Sequence, residues 1–261
     1  MTKFLAAILM TAATYAVSLA GPTTALAETG IVIMHGKGGK NMQKAPTQIL
    51  ARFLRDKGFI VAAPNMPWQA DRIFDKTLEE AMIEIDGIVA ELKSDGADKI
   101  VIAGHSLGAN AALAYGARRD GLAGIIAMAP GHVPELWASR FADDVAKARA
   151  MVDAGNGDEE PEFNDINQGK TTTFLMPAKN YLSWYDPDGE AVMPKSAARL
   201  KPGTPLMWIV GEQDRMAGFG EAYAFAKAPA HPNSRYEVIG GGHGATPKKG
   251  KGKILKWLKG L

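Results

Sequence analysis

Strand signals and helix signals alternate along most of the chain. Six short apolar runs, rich in β-branched residues, are typical of buried strands: 30–34, 59–63, 99–104, 124–129, 205–210 and 235–239. Segments with apolar residues at helical spacing separate most of them. Strands that alternate with helices form a parallel sheet, because each connecting helix crosses back over one face of it. The alternation therefore predicts an α/β fold, a three-layer α/β/α sandwich around a shortened, mostly parallel six-stranded sheet.

One long segment breaks this alternation. Residues 131–200 contain helical pieces, an acidic stretch and an aromatic stretch, and no clear strand signal interrupts them. A connection of this length is too long for a simple crossover between two strands. We therefore expect a lid inserted over about residues 131–200 within a single domain that spans residues 28–261.

The N-terminal segment has the features of a signal peptide. Lys3 precedes an apolar stretch over residues 4–17, a glycine-proline pair follows, and small residues then lead up to Ala27. Cleavage is expected after Ala27, with Ala20 as the second candidate, which makes the protein periplasmic or secreted. The apolar stretch is shorter than the ~20 residues that a spanning helix needs, so no stable membrane anchor is expected.

Charge argues against nucleic acid as a partner. The 261 residues include 30 basic and 28 acidic side chains, a formal net charge of +2 that gives no global attraction for a polyanion. Six lysines do crowd the C-terminus: Lys248, Lys249, Lys251, Lys253, Lys256 and Lys259. We interpret them as the solvated face of a terminal helix; polyanion or cell-envelope binding is the alternative.

Cysteine and histidine usage bears on metal and redox chemistry. The chain has no cysteine, which excludes disulfides, thiolate metal sites and a cysteine nucleophile. Its five histidines lack the spacing of metal ligands, so neither a metal nor a cofactor is expected.

A candidate nucleophile lies between a strand and a helix. Residues 104–108 read Gly-His-Ser-Leu-Gly, directly after a strand signal and at the start of an alanine-rich helix. This is the strand–turn–helix context that a G-x-S-x-G nucleophile requires. The turn would raise the Ser106 hydroxyl above the carboxyl end of the sheet, where ligands bind in such folds. A glycine-rich turn with a helix-capping serine is the alternative.

A serine hydroxyl needs a base, and that base needs an acid to orient it. His243 is the best candidate base, because it stands in a glycine-rich loop directly after the last strand. Asp214 follows the strand over residues 205–210 and is the candidate acid, with Glu212 on the same loop as the alternative.

Acyl transfer also needs hydrogen-bond donors for a developing oxyanion. The backbone amide of Leu107 lies at a helix N-terminus, where unpaired amides favour negative charge. The loop over residues 35–39 could supply a second amide, that of Lys37. A phosphate-binding loop or a plain turn is the alternative, but neither the Walker lysine nor the G-x-G-x-x-G spacing is present.

Taken together, these segments resemble the α/β-hydrolases of the serine esterase and lipase type, whose triad follows the same order of serine, acid and histidine. The resemblance implies a serine hydrolase that cleaves a carboxylic ester, or a related acyl bond, of a small molecule through an acyl-enzyme. A non-catalytic binding protein of the cell envelope on the same scaffold is the alternative. Oligomeric state is left open.

Two features depart from that family. The strand before the candidate oxyanion loop begins soon after the signal peptide, so the sheet should lack the extra strand pair with which the family usually begins. Lys37 is a bulky cation where such loops are often small or apolar, and it either favours an anionic substrate or faces solvent.

Aromatic and methionine side chains are candidates for the substrate pocket. Met66 and Trp68 follow the second strand, and Trp184 and Tyr185 lie in the expected lid. Half-apolar walls of this kind suit an acyl chain or an aromatic ester. Packing of the lid onto the sheet is the alternative role for these residues.

Overall fold

The structure is a computed structural model that describes residues 28–39 and 43–261. The expected signal peptide, residues 1–27, lies outside the described residues. The strands are β1 (Thr29–Met34), β2 (Ile60–Ala62), β3 (Lys99–His105), β4 (Gly124–Met128), β5 (Glu162–Asn167), β6 (Lys170–Leu175), β7 (Leu206–Gly211) and β8 (Arg235–Ile239). The helices are α1 (Pro46–Arg55), α2 (Leu78–Ser94), α3 (Leu107–Arg118), α4 (Ala142–Asp153), α5 (Ala178–Tyr185), α6 (Met193–Ala198), α7 (Thr246–Lys249) and α8 (Lys251–Leu258).

Six strands form one sheet in the order β2-β1-β3-β4-β7-β8, and every neighbouring pair is parallel. Successive side chains of β1 point to opposite faces of the sheet: Ile31 and Ile33 to one, Val32 and Met34 to the other. Helices α1 and α8 cover the first face, and α2 and α3 cover the second. The predicted three-layer α/β/α fold is confirmed.

The segment between β4 and β7, residues 131–200, is called the inserted segment below. It packs on the α2 side of the sheet, where the indole Nε1 of Trp184 donates to the carbonyl of Lys76 (3.0 Å) and the amide of Leu78 donates to Ser183 Oγ (2.7 Å).

The expectation that no strand interrupts the inserted segment was wrong. Strands β5 and β6 form an antiparallel hairpin through a tight turn at Gln168 and Gly169, both with positive φ. Only Phe163 and Asp165 are buried on β5, whereas β6 is largely exposed. The sequence signal is weak because most residues of this hairpin are polar and few of them enter the core.

The C-terminal lysines follow the expectation of a solvated helix face. All six are exposed on or beside α7 and α8, while Ile254 and Leu258 turn inward against the sheet. Lys253 pairs with Glu237 of β8 at 2.7 Å. Among the described residues, no helix combines the length and apolar character needed to cross a membrane.

A one-residue turn joins β3 to α3. Ser106 has φ 56° and ψ −120°, a backbone conformation that residues other than glycine rarely adopt. The turn is also tightly packed: a Cβ at Gly104 would lie 1.9 Å from the carbonyl oxygen of Gly108, and one at Gly108 would lie 2.6 Å from that of His35. Only glycine fits at these two positions. The two glycines make the tight turn possible, and the strain lies in the backbone of Ser106, which has a positive φ.

This strain generates a stability prediction. Strained backbone costs ~1–3 kcal/mol, and glycine adds ~0.5–1 kcal/mol of unfolded-state entropy. Ser106→Gly should therefore be more stable than Ser106→Ala by about 1 kcal/mol, which is roughly 2–4 °C in Tm for a chain of this size. Thermal unfolding of both variants checks this, with Ser183→Gly against Ser183→Ala as a helical control in which glycine should be the less stable. A Ser106→Gly variant that melts below Ser106→Ala would contradict a strained turn.

Candidate active site

A cavity of about 500 Å³ opens at the carboxyl edge of the sheet. Its lining includes Lys37 after β1, Ser106 and Leu107 after β3, Asp214 after β7 and His243 after β8. The strands are parallel, so their carboxyl ends meet at one edge, and the loops that follow them converge. The structure thus brings together all five residues predicted for catalysis and for the oxyanion.

His243 and Asp214 form a direct pair. The Nδ1 atom of His243 lies 2.7 Å from Oδ2 of Asp214, and Oδ1 of Asp214 accepts the backbone amide of Met216 at 2.9 Å. Burial opposes ionisation of Asp214, but the hydrogen bonds from His243 and Met216 hold its pKa below the usual value. The alternative acid, Glu212, is exposed and does not line the cavity.

Ser106 and His243 face each other across Gly131. A Cβ at position 131 would lie 3.0 Å from Ser106 Oγ and 3.6 Å from His243 Nε2, so a larger residue would enter the space between them. Gly131 was not predicted as a site residue from the sequence. Its position directly after Pro130 and the β4 strand signal could have indicated it, because residues after parallel strands lie at the carboxyl edge of the sheet.

His105 supports the candidate base from behind. Its Nε2 lies 3.0 Å from the backbone carbonyl of His243, and the two rings are 4.9 Å apart. Burial and repulsion from His243 lower the pKa of His105 to about 4. The ring is therefore neutral near pH 7, and its Nε2–H donates to the carbonyl of the loop that carries His243.

The loop after β1 lies against the turn that holds Ser106. A Cβ at Gly36 would lie 2.9 Å from the Ser106 Cβ, and the Gly38 amide donates to the carbonyl of Trp68 (2.8 Å). Within the described residues, no acceptor is found for the backbone N–H of Lys37 or of Leu107. Two amides beside Ser106 are thus available to a ligand.

His35 fixes the start of this loop. Burial lowers the pKa of His35, so its ring is neutral near pH 7. Its Nδ1–H donates to the Gly36 carbonyl (2.8 Å), and its Nε2 accepts the amide of Met66 (3.1 Å). The neutral tautomer is set by these two contacts, and the ring ties the loop after β1 to the loop after β2.

The expectation for the Lys37 side chain is corrected. It neither faces solvent nor points at the cavity as a free cation, because its ammonium is buried in an ion pair with Asp165 of β5. It also donates to the carbonyl of Ile166 (3.2 Å) and to the hydroxyl of Tyr185 (3.1 Å). The partner is 128 residues away in a hairpin that the sequence did not reveal.

The four residues predicted to contact substrate are also corrected. Met66, Trp68, Trp184 and Tyr185 are each at most 2% exposed and do not line the cavity with Ser106. They pack the inserted segment onto the sheet, which was the alternative. Burial of large apolar rings there stabilises the fold, and this requirement removes them from the solvent-accessible pocket.

Other residues form the walls of this cavity. An apolar group follows β4 or lies just after Asp214: Val133, Leu136, Trp137, Met216 and Phe219. The hairpin turn, residues 167–169, also lines the cavity, as do Gln213 and Arg215 after β7. The residues after β4 and β7 could have been proposed from their place beyond strand ends, whereas the hairpin turn could not. Across residues 28–39 and 43–261, no cluster of three or more side chains suited to a metal ion occurs.

Solved structures share this fold at low sequence identity. A highly thermostable carboxyl esterase from Bacillus coagulans superimposes with a TM-score of 0.65 at 16% identity, covering 90% of each chain. A monoacylglycerol lipase from Paleococcus ferrophilus gives 0.61 at 21% identity, covering 88% of this chain and 93% of its own. Est1E from Butyrivibrio proteoclasticus with bound ferulic acid gives 0.58 at 18% identity, covering 91% and 93%.

Sequence comparison gives a family but no curated relative. No curated protein sequence matches this chain. The family model described as the alpha/beta hydrolase family matches residues 31–248, most of the chain. With the parallel sheet and the strand–turn–helix at Ser106, this match means that the chain belongs to the alpha/beta hydrolase family.

Proposed function

We propose that the protein is a serine hydrolase that cleaves the carboxylic ester of a small molecule through an acyl-enzyme. The observation that carries the proposal is the arrangement of three side chains in one cavity. The 2.7 Å contact with Asp214 occupies Nδ1 of His243, which leaves Nε2 on the side of Ser106. That arrangement suits a base that removes a proton from the serine hydroxyl.

In the first half-reaction, Ser106 Oγ attacks the ester carbonyl carbon while Nε2 of His243 takes the hydroxyl proton. Asp214 holds the proton on Nδ1 and stabilises the imidazolium. The backbone amides of Lys37 and Leu107 donate to the tetrahedral oxyanion, whose negative charge is also favoured by the N-terminus of α3. Collapse breaks the ester C–O bond, and His243 returns the proton to the departing alcohol.

The second half-reaction frees the acid. Water attacks the acyl ester on Ser106, and His243 takes a proton from that water. The second tetrahedral oxyanion forms at the same two amides. Its collapse returns the proton to Ser106 Oγ and releases the carboxylic acid product.

The cavity supports an ester with apolar parts. Its volume lies within the ~300–1,000 Å³ of small-molecule sites, and one wall is formed by apolar residues such as Leu136, Trp137 and Phe219. The solved structures of the same fold include a carboxyl esterase and a monoacylglycerol lipase, which supports an ester as the substrate.

A fluorescent fluorophosphonate tests the nucleophile without knowledge of the substrate. It reacts with an activated serine, so the wild-type protein should be labelled once, at Ser106. Ser106→Ala should show no labelling, and His243→Ala should be labelled at least 100-fold more slowly because it lacks the base. His231→Ala, a histidine outside the cavity, serves as the matched control and should be labelled like the wild type.

Two results would count against this function. Labelling of Ser106→Ala at the wild-type rate would place the nucleophile elsewhere. A folded wild-type protein that is not labelled and hydrolyses no ester would favour the non-catalytic binding protein.

The acid can be tested separately through Asp214→Asn. The amide oxygen at this position should keep accepting the Met216 amide, which turns its NH₂ group toward His243 Nδ1. That nitrogen must then accept, so the proton moves to Nε2 and the ring cannot act as base for Ser106. We expect kcat to fall by about 10³- to 10⁴-fold, the size of effect seen for such a change of tautomer.

The control for Asp214→Asn is Glu212→Gln, which neutralises the exposed carboxyl on the same loop and should retain kcat within about twofold. Comparable losses in both variants would mean that the loop, rather than the Asp214–His243 contact, controls the rate. Steady-state kinetics on a p-nitrophenyl ester provide the measurement.

We also propose that the enzyme is exported and acts in the periplasm or outside the cell. The support is the pattern of residues 1–27, a basic start, an apolar stretch and small residues before the expected cleavage point. Expression of the full chain in a Gram-negative host should yield a periplasmic or secreted protein whose N-terminal residue is Glu28, or Gly21 for the second cleavage site. Recovery of the uncleaved chain from the cytosol would overturn this proposal.

A further inference from the structure

Two segments that are distant in the sequence meet at the Lys37 side chain. Lys37 lines the catalytic cavity, and its ammonium reaches into the inserted segment, where it contacts β5 and α5. The side chain is 9% exposed and that of Asp165 is 1% exposed, so the pair is almost wholly removed from water.

The surroundings of the ammonium are highly specific. Besides Asp165, it donates to the Ile166 carbonyl and the Tyr185 hydroxyl. The ring centroids of Phe74, Trp137 and Tyr185 lie 5.7, 5.3 and 5.2 Å from Nζ, within the range of cation–π attraction. Three hydrogen bonds and three rings therefore hold one cation in one place.

Asp165 depends on this cation. Its Oδ1 accepts hydrogen bonds from the Lys37 ammonium and the Tyr185 hydroxyl. Its Oδ2 has no hydrogen-bond donor in the part of the chain that the structure describes. A buried carboxylate that loses its cationic partner is strongly unfavourable. Loss of Lys37 would therefore drive Asp165, and β5 with it, toward water or toward protonation.

Both ends of this contact belong to the catalytic cavity. Lys37 lines the cavity together with Ser106, and its backbone N–H has no acceptor in the part of the chain that the structure describes. The hairpin turn that begins two residues after Asp165 lines the same cavity. Glycines at 36, 38 and 39 flank Lys37, so its loop has little intrinsic stiffness. A fixed Lys37 side chain would restrain this loop and keep the Lys37 amide pointing in one direction.

We propose that Lys37 is a positioning residue whose buried ion pair with Asp165 clamps the oxyanion loop to the β5–β6 hairpin. The clamp fixes the Lys37 amide toward the oxyanion and sets the cavity wall at residues 167–169. This inference rests on the proposed function, because it assigns the clamp to transition-state stabilisation at Ser106.

The test compares Lys37→Met, Asp165→Asn and the double variant on a p-nitrophenyl ester, with kcat expressed per folded molecule. Pre-organised donors act mainly in the transition state, so Lys37→Met should lose about 10- to 100-fold in kcat while KM changes less than threefold. Asp165→Asn should fall in the same direction. The double variant should be no slower than Lys37→Met, because both changes break one contact.

Phenylboronic acid provides a readout that a merely structural contact would not move. It forms a tetrahedral, anionic adduct on a nucleophilic serine and so reports directly on the oxyanion donors. Its inhibition constant should rise in Lys37→Met by about the same factor as kcat/KM falls.

Two controls separate the clamp from loss of stability. Arg149→Met removes a cation from a more exposed ion pair with Asp186 in the inserted segment. Val145→Ala truncates a buried side chain of α4 and should lower Tm. Neither residue lines the cavity, so both variants should keep kcat and the boronic acid inhibition constant within threefold of the wild type.

If Lys37→Met fails to fold, Tyr185→Phe decides. It keeps the ring and the ion pair but removes the hydroxyl that contacts both charged partners, and it should lower kcat at least threefold. The clamp is overturned if folded Lys37→Met keeps the kcat and the boronic acid binding of the wild type, or if Tyr185→Phe does so when only that variant folds. In either case an active wild type still upholds the proposed function. A wild type that neither reacts with fluorophosphonate nor hydrolyses esters overturns both.

Discussion

The close approach of β3, α3 and the loop after β1 is the constraint on which the rest of the site depends. The chain passes from strand to helix through Ser106 alone, and neighbouring backbone leaves no room for a Cβ at Gly104 or Gly108. This packing holds the hydroxyl at the edge of the sheet at the cost of a strained residue. Because all six strands are parallel, the loops carrying Asp214 and His243 reach the same edge.

Burial distinguishes three histidines, His35, His105 and His132, from His243. His35, His105 and His132 have lowered pKa values because they are buried, and each has a backbone contact that orients its ring. Burial lowers the pKa of His132 to about 3. Its ring packs against Trp137 and against Trp184 and Tyr185 of α5, so it joins the chain after β4 to α5. His243 instead combines a carboxylate partner with access to the cavity.

The inserted segment shapes the cavity at the carboxyl edge of the sheet. Its aromatic side chains pack on the sheet, its hairpin turn walls the cavity, and its Asp165 receives the cation of the loop after β1. A buried ion pair is a poor source of net stability, since the desolvation of both charges offsets their attraction. The Lys37–Asp165 pair acts through geometry instead. Breaking it would leave a charge buried without a partner, so the loop after β1 and the β5–β6 hairpin keep one relative position.

The amino-acid sequence alone was enough to predict the parallel sheet, the family and the placement of Ser106, Asp214 and His243 after strand ends. Strand periodicity, the need for glycine at a tight turn and the position of a loop after a strand are all local properties of the chain. The sequence did not determine what Lys37 touches, or that Met66, Trp68, Trp184 and Tyr185 belong to the core rather than to the pocket. Those outcomes depend on a polar hairpin with a weak strand signal and on contacts such as Lys37–Asp165, which join residues 128 positions apart. Tertiary packing determines whether an aromatic side chain is buried or exposed to solvent, and which distant carboxylate pairs with the buried ammonium of Lys37.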